Sequence, residues 1–309
     1  MEPPASRPYH HPDDLAAVTR LLLTCRAEER IDPWPPVHEI RLCLGALHDG
    51  CADARLWVDC AGVPLAFAMI WEGDILIYSA LPRACDEVLE ARMICWGMER
   101  VRAAAERHGE RSILCIPVRD DDLRRMALLA RLGLRCEEWC VVRMQRRLTD
   151  PIAVPCVPPG FVLRPVASEI EVPALVDVHH AAFATAAENA ADRVAWMRGP
   201  AYVPDLDLVV EAPDGALAAF CRCSVAVEEN MRLSYSAAWI DLIGTRPEYR
   251  CRGLGQALVL QALWQMRALG LDRALLGTGS WNTGAQQLFI ACGFCIPYRI
   301  LWYVCDEET

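Results

Sequence analysis

The chain has 309 residues, of which 54% are hydrophobic and 23% are charged, and its formal net charge is −10. At roughly 100–200 residues per domain, this length predicts two globular domains, and the charged fraction is that of a folded protein. The sequence contains no lysine, so all 31 basic residues are arginine. Chemistry that needs a lysine of the protein, such as a Schiff base or a P-loop, is therefore excluded, and so acidic a chain is not expected to bind nucleic acid.

The 16 cysteines lie mostly in apolar stretches such as 94–96 and 114–116. We therefore expect reduced core residues of a cytoplasmic protein without a signal peptide or a membrane span. Cys292 and Cys295 have C-x-x-C spacing, but a structural zinc site usually needs four ligands. The sequence has no second such pair, and His180, the nearest histidine, is far away in the chain. We predict no metal.

The first half of the chain predicts alternating helices and strands. Apolar periodicity, glycines and prolines give the following order: helix Asp13–Cys25, helix Val37–Leu47, strands Leu56–Asp59, Leu65–Ile70 and Asp74–Ser79, helix Cys85–Arg107, strand Arg111–Pro117, helix Asp121–Arg131 and strand Glu138–Met144.

A linker is predicted at Thr149–Gly160, where four prolines in twelve residues exclude a helix or a central strand. The elements predicted after it are strand Phe161–Val166, helices Glu171–Phe183 and Glu188–Arg198, strands Leu206–Glu211, Ala216–Val227 and Ser234–Ile243, helix Gly255–Leu269, strand Arg273–Leu276, helix Thr283–Ala291 and strand Ile296–Val304.

The two halves repeat one order of elements. Gly109 and Gly270 stand 161 residues apart, and Gly133 and Gly293 stand 160 apart. Near-constant spacing of this kind indicates a duplicated domain. We predict an α/β (α+β) protein with domains 1–148 and 161–309, each a mixed, mostly antiparallel sheet flanked by helices.

The segment from Trp239 to Ala257 combines a strand, a short loop and R-x-R-G-x-G at the start of a helix. The first N–H groups of a helix lack internal partners and carry partial positive charge, and glycines let an anion approach the backbone. Arg250 and Arg252 add donors. This pattern is typical of a pyrophosphate site. A dinucleotide fingerprint would need a third glycine at Leu258.

This segment resembles the acetyl-CoA motif of the GCN5-related N-acetyltransferases, [QR]-x-x-G-x-[GA], at Arg250–Gly255. A second motif of that family, N-x-x-A-x-x-L-[YF]-x-x-x-G-F, begins at Asn282 and ends at Phe294. The resemblance covers about residues 206–304. The tandem arrangement with one clear motif resembles mycothiol synthase and related tandem acetyltransferases.

The resemblance implies acetyl-CoA as cosubstrate. The strand end would pair with the pantetheine arm, an amide near Ile243 would hold the thioester oxygen, and the glycine loop would hold the pyrophosphate. The residues given these binding roles are Leu242, Ile243, Gly244, Thr245, Arg250, Cys251, Arg252, Gly253, Leu254, Gly255, Gln256, Asn282, Ala285 and Phe289.

Asp241 is the candidate general base, because an alkylammonium must lose a proton before it attacks a thioester. It stands in an apolar strand, where we expect burial to raise its pKa towards the useful range. A purely structural partnership with an arginine or a backbone group is the open alternative. Trp239 would share its face and line the acceptor pocket or the core.

The family often has a tyrosine as general acid where this chain has Phe289, which cannot donate a proton. Tyr298 is the candidate substitute, and water is the default. His179 and His180 could reach the acceptor or be structural. Glu228 and Glu229 are expected in a solvated turn, unless they attract a cationic amine.

The first half lacks a glycine loop at 80–87, and Asp86 and Glu87 stand in the first turn of its helix. These acids would repel a pyrophosphate, so we expect no CoA there. The predicted activity is acetyl transfer from acetyl-CoA to a primary amine of a small molecule, by a monomer or homodimer. The alternatives are an acyl-CoA-binding sensor module and acylation of a protein or peptide amine.

Overall fold

The computed structural model describes residues 4–25, 35, 37–46, 53–109, 111–225, 227–231 and 235–307. These residues form two compact units. The first contains the residues up to Val141 and those from Tyr298 onward, and the second is Val142–Pro297. The proline-rich segment 149–160 lies inside the second unit. The predicted limits 1–148 and 161–309 stay a prediction about the two repeats of the sequence.

The elements of the first half are β1 (Ala5–Pro8), α1 (Leu15–Cys25), α2 (Val37–Ala46), β2 (Ala54–Val58), β3 (Pro64–Trp71), β4 (Ile75–Ala80), α3 (Glu87–His108), β5 (Ser112–Arg119), α4 (Leu123–Arg131) and β6 (Arg135–Arg147). Those of the second half are β7 (Val162–Pro165), α5 (Val172–Phe183), α6 (Ala190–Met197), β8 (Tyr202–Glu211), β9 (Leu217–Val225), α7 (Val227–Asn230), β10 (Ala237–Thr245), α8 (Leu254–Ala268), β11 (Arg273–Gly279), α9 (Thr283–Ala291) and β12 (Cys295–Glu307).

The sheet of the first unit has the strand order β1-β2-β3-β4-β5-β12. The β4–β5 pair is parallel, and the other pairs are antiparallel. Side chains alternate between the two faces of a strand. Accordingly, Phe67 joins a core with α1 and α2, whereas Ala66 and Ala68 join a core with α3 and α4. The sheet is therefore covered by helices on both faces.

The sheet of the second unit has the order β7-β8-β9-β10-β11 and continues to β6. The β10–β11 pair is parallel, and the pairs from β7 to β10 are antiparallel. Val209 and Phe220 pack against α5 and α6. Helix α8 packs on β8 and β9 through a buried stripe that includes Leu258, Ala262 and Met266.

The predicted fold class is confirmed: each unit is a mixed, mostly antiparallel sheet flanked by helices. Both halves also show one order of elements, strand-helix-helix-three strands-helix-strand-helix-strand, apart from the short α7. Within the described part of the chain, no helix combines the length and apolarity needed to span a membrane.

Two expectations about burial are wrong, one for the cysteines and one for Glu229. Among the described cysteines, Cys221, Cys223 and Cys292 are buried but seven others are exposed, because an apolar neighbourhood in sequence includes residues on the outer faces of helices and strands. Glu229 does not lie in a solvated turn, since it belongs to α7 and is 4% exposed.

Candidate active site

The site begins where strands β10 and β11 separate. Their parallel pairing runs from Ala237↔Arg273 to Ile240↔Leu276 and ends there. Strand β10 continues to Thr245, paired on its other side with β9. The backbone of residues 242–245 therefore faces a gap on the β11 side, into which an extended ligand can fit as an additional strand. The predicted pantetheine-binding segment lies at this gap.

Asp241 lies on a β-bulge in β10. Ile240 and Leu242 stand opposite consecutive residues of β9, so Asp241 has no opposite residue in the ladder. The expectation that it is buried is wrong, because its side chain is exposed. Bulges redirect side chains, and this one turns the carboxylate out of the apolar run. Ser224 donates a hydrogen bond from Oγ to Oδ1 of Asp241 over 3.0 Å.

The glycine loop ends directly at the start of helix α8. Gly253 is the N-cap residue with φ 79°, and it supplies no side-chain hydrogen bond to the first turn. A Cβ atom at Gly253 would meet no atom within 4 Å, so the space in front of the helix is open. Cys251 also has a positive φ, 59°. Free N–H groups at a helix start are typical anion ligands, and the pyrophosphate site at this loop stays a prediction.

The two arginines of the loop have different roles. Arg250 donates from Nε to the carbonyl of Thr245 over 3.2 Å and from Nη2 to the carbonyl of Ala182 over 2.8 Å. It thus connects the loop to the end of β10 and to the end of α5. Arg252 is exposed, donates to the carbonyl of Glu248 over 3.1 Å and lies over the ring of Tyr249. Its contacts stay within the loop, and its role as a phosphate ligand stays a prediction.

Gly244 allows the end of helix α5 to pack on β10. A Cβ atom there would lie 2.7 Å from the Phe220 ring and 2.8 Å from Cβ of Ala182. A side chain does not fit this space without displacing the helix. The end of α5, the end of β10 and the glycine loop are therefore held together, which the sequence motif alone did not indicate.

The second motif forms the start and the core of α9. Asn282 caps the helix, since its Oδ1 accepts from the backbone N–H of Ala285 over 3.2 Å, and its side chain is exposed. Phe289 is 3% exposed, and its ring centroid lies 5.8 Å from that of Phe294. The predicted contacts of these residues with a cosubstrate stay predictions.

The two candidate catalytic residues fall in different units. Asp241 lies in the second unit, whereas Tyr298 is the first residue of β12 that belongs to the first unit. There the guanidinium carbon of Arg119 lies 3.7 Å from the centre of the Tyr298 ring. The role of Tyr298 as general acid stays a prediction.

A charged network under α5 and α6 was missed by the sequence analysis. Arg193 and Asp207 are 3% and 1% exposed and form a two-oxygen ion pair at 2.5 and 2.7 Å. Arg222 pairs with Glu188 at 2.5 Å. Asp207 is the single acidic residue of the apolar strand 206–210. The same sequence pattern, one acid in an apolar strand, made Asp241 a candidate.

His179 lies beside this network. It is 7% exposed and is surrounded by the rings of Phe183 and Phe220. Burial lowers the pKa of His179, so the imidazole is neutral near pH 7. Its Nδ1 atom lies 4.0 Å from the carboxylate of Glu188, too far for a hydrogen bond. This environment favours a structural role.

The two cysteines of the C-x-x-C pair lie in different environments. Cys292 is buried, and burial raises the pKa of its thiol to about 11, whereas Cys295 is exposed and its Sγ lies near the carbonyl of Gln145. No group of three histidine, cysteine or acidic side chains in the described ranges is arranged to hold a metal ion.

The sequence profile of the acetyltransferase (GNAT) family matches residues 175–294, which include β10, the glycine loop and α9. Over these residues the chain is similar to that family.

The relatives are mycothiol acetyltransferases. That of Kineococcus radiotolerans is 35% identical over 178 residues, which are 54% of this chain and 54% of the relative. That of Nocardia farcinica is 32% identical over 178 residues, 54% of this chain and 56% of the relative. The chain thus spans about half the length of the curated relatives it matches.

Solved structures resemble this one over nearly its whole length. A GCN5-related N-acetyltransferase from Sphaerobacter thermophilus has a TM-score of 0.73 at 20% identity and covers 99% of this chain and 96% of its own. A tandem GNAT protein from the clavulanic acid biosynthesis pathway has a TM-score of 0.73 at 16% identity, with 99% coverage of both chains. At such identities the likeness establishes the tandem fold alone.

Proposed function

We propose that the second unit is an N-acetyltransferase that moves an acetyl group from acetyl-CoA to a primary amine of a small molecule. The observation that carries this proposal is the gap between β10 and β11 after Ile240, followed by the open helix start at Gly253. The gap fits an extended pantetheine arm, and the helix start fits a pyrophosphate. The names of the relatives support a small-molecule acceptor.

Asp241 accepts a proton from the acceptor ammonium, whose ordinary pKa is about 10. The free amine then forms a bond to the thioester carbon, and the carbonyl oxygen takes up the negative charge. A backbone N–H at the gap, near Ile243, stabilises that oxygen. When the intermediate collapses, the carbon–sulfur bond breaks, the nitrogen gives up a second proton to water and becomes the amide, and the CoA thiolate leaves and takes up a proton. With Phe289 at the family's tyrosine position, water or Tyr298 supplies this proton.

The proposal is tested by following CoA release in a panel of small-molecule amines and amine-bearing peptides. We expect turnover with a small amine and about a hundredfold lower kcat for Asp241→Asn at unchanged KM for acetyl-CoA. Asp272→Asn is the matched control, because Asp272 is an exposed carboxylate that also accepts from a serine hydroxyl, Ser236. Binding of acetyl-CoA without turnover on any amine would favour a sensor module, and turnover on peptides alone would favour protein acylation.

A further inference from the structure

The loop in front of helix α8 contains a tyrosine that touches three parts of the second unit. Tyr249 is the last residue of the short helical turn Pro247–Tyr249, which precedes the glycine loop. Its hydroxyl donates to Oδ2 of Asp214 over 3.2 Å, and its ring centroid lies 5.8 Å from that of Phe161 in an edge-to-face arrangement. The guanidinium carbon of Arg252 lies 5.6 Å from the centre of the same ring. Tyr249 thus connects Arg252 with two segments that are distant in sequence.

The two partners that support the Tyr249 ring are packed on one another. Asp214 and Pro213 belong to the turn between β8 and β9. Gly160, which precedes Phe161, has a φ of 86°, and a Cβ atom there would lie 3.0 Å from Cγ of Pro213. The turn and the end of the proline-rich segment are therefore in close contact, and together they hold the tyrosine from two sides.

Arg252 is the residue that gains from this arrangement. It is exposed, it directly precedes Gly253, and its Nη2 donates to the carbonyl of Glu248 over 3.1 Å. A guanidinium near the centre of an aromatic ring is attracted by the ring. An exposed arginine loses rotamer freedom when it binds a ligand, and this loss weakens binding. An arginine that is already ordered in the free protein loses less.

We propose that Tyr249 is a positioning residue for cosubstrate binding, which orders Arg252 beside the open helix start at Gly253 for the phosphates of acetyl-CoA. This inference rests on the proposed function. Tyr249 acts through Arg252 and needs no contact with the cosubstrate itself. Its effect is therefore confined to the phosphate end of the cosubstrate, and the transfer step at the gap between β10 and β11 does not depend on it.

The test compares two acetyl donors in Tyr249→Leu. Leucine keeps an apolar side chain beside Phe161 but offers no aromatic ring to Arg252. For acetyl-CoA we expect a Kd and a KM that are about three- to fivefold higher, at unchanged kcat. S-acetylpantetheine lacks the phosphates, so its kcat/KM should not change. Tyr249→Phe keeps the ring and should stay within about 1.5-fold of the unmodified protein for both donors.

Two controls test whether Arg252 mediates the effect. In the Arg252→Ala background, Tyr249→Leu should change the affinity for acetyl-CoA by less than about 1.5-fold, because the group that it positions is gone. Tyr235→Leu is the matched control. It removes a ring whose centre lies 3.7 Å from the guanidinium carbon of Arg273, just before the start of β10 and away from the glycine loop, and it should leave both donors unaffected.

The positioning role and the proposed function fail on different results. If the unmodified protein uses acetyl-CoA but Tyr249→Leu keeps the original affinity, or loses the same factor in the Arg252→Ala background, the positioning role is wrong and the proposed function stands. Equal losses for acetyl-CoA and S-acetylpantetheine would indicate a general distortion of the site and would also overturn the positioning role. If the unmodified protein binds no acetyl-CoA, the proposed function fails and the positioning role fails with it.

Discussion

Nη2 of Arg250 donates a hydrogen bond to the carbonyl of Ala182 over 2.8 Å, and this bond joins the glycine loop to the end of helix α5. Ala182 is also the residue whose Cβ comes close to Gly244. Arg250 therefore connects the glycine loop, the end of β10 and the end of α5, in addition to supplying a positive charge. Its neighbour Arg252 has no such connecting function in the contacts described above.

Replacing Arg250 by alanine should cost stability and affinity together. We expect about 1–2 kcal/mol of unfolding free energy to be lost with the two hydrogen bonds, along with weaker binding of acetyl-CoA. Arg252→Ala should weaken binding through the loss of charge while leaving the unfolding free energy nearly unchanged. Urea unfolding and calorimetry with acetyl-CoA measure both effects. Equal unfolding free energies of the two variants would contradict the connecting role of Arg250.

Gly253→Leu should abolish cosubstrate binding without abolishing the fold. Gly253 and Gly270 both have positive φ, 79° and 78°, and both have open space where a Cβ would stand. They flank helix α8 at its two ends, about 26 Å apart at 1.5 Å per residue. The two leucine variants therefore carry similar backbone strain, of about 1–2 kcal/mol.

Calorimetry distinguishes an effect of backbone strain from obstruction of the binding site at the start of α8. We expect the affinity for acetyl-CoA to fall by about a hundredfold or more in Gly253→Leu and to change by less than about twofold in Gly270→Leu. Equal losses in both variants would mean that backbone strain, and not obstruction of the helix start, explains the effect.

One acetyl-CoA should bind per chain. At the corresponding helix of the first unit, α3, the Oδ1 atom of Asp86 accepts from the N–H of Leu89 over 2.7 Å, so a carboxylate already occupies the helix start. In the next turn Glu90 is fully buried and paired with Arg124 and Arg125 at 2.6 and 2.8 Å. A titration that gives two sites per chain would contradict this asymmetry.

The pair formed by Glu171 and Arg164 should make stability depend on pH. Hydrogen bonding from Arg164 lowers the pKa of Glu171 below the ordinary glutamate value. Because this pKa is lower in the folded than in the unfolded protein, the pair stabilises the fold above the ordinary pKa and loses its effect as the pH falls through the lowered value.

Glu171→Gln should therefore lower the unfolding free energy by about 1 kcal/mol at pH 7, and the difference should shrink at about pH 3. Glu169→Gln is the control. Its pair with Arg198 is exposed, with 43% and 68% of the two side chains accessible, so the change should be smaller. Urea unfolding at the two pH values measures both, and a Glu171→Gln deficit that persists at pH 3 would contradict the assignment.

Local patterns in the sequence predicted most of the elements, although not β1 and the short α7. The predicted start of helix α8 at Gly255 differs by one residue from the observed start at Leu254. Strand β10 was predicted to end at Ile243 but extends to Thr245, since pairing with β9 continues beyond the apolar run.

What the sequence did not contain was the partner of each polar group. Asp207 and Asp241 show the same sequence pattern, a single acid in an apolar strand. Asp207 is buried and paired with Arg193, whereas Asp241 is exposed. The difference arises from a bulge and from an arginine on another element, and neither leaves a periodic signal. Burial of single polar residues is decided by such non-local contacts.

Strand β5, Ser112–Arg119, takes its antiparallel neighbour from residues 300–307. The ribosome adds those residues only after the whole second unit. The sheet of the first unit therefore lacks this strand until the end of synthesis. A chain stopped before Tyr298 would present β5 as an open edge, which is a template for aggregation. The first unit thus depends on residues that are translated last, and cutting the chain at the proline-rich segment would leave it without this strand.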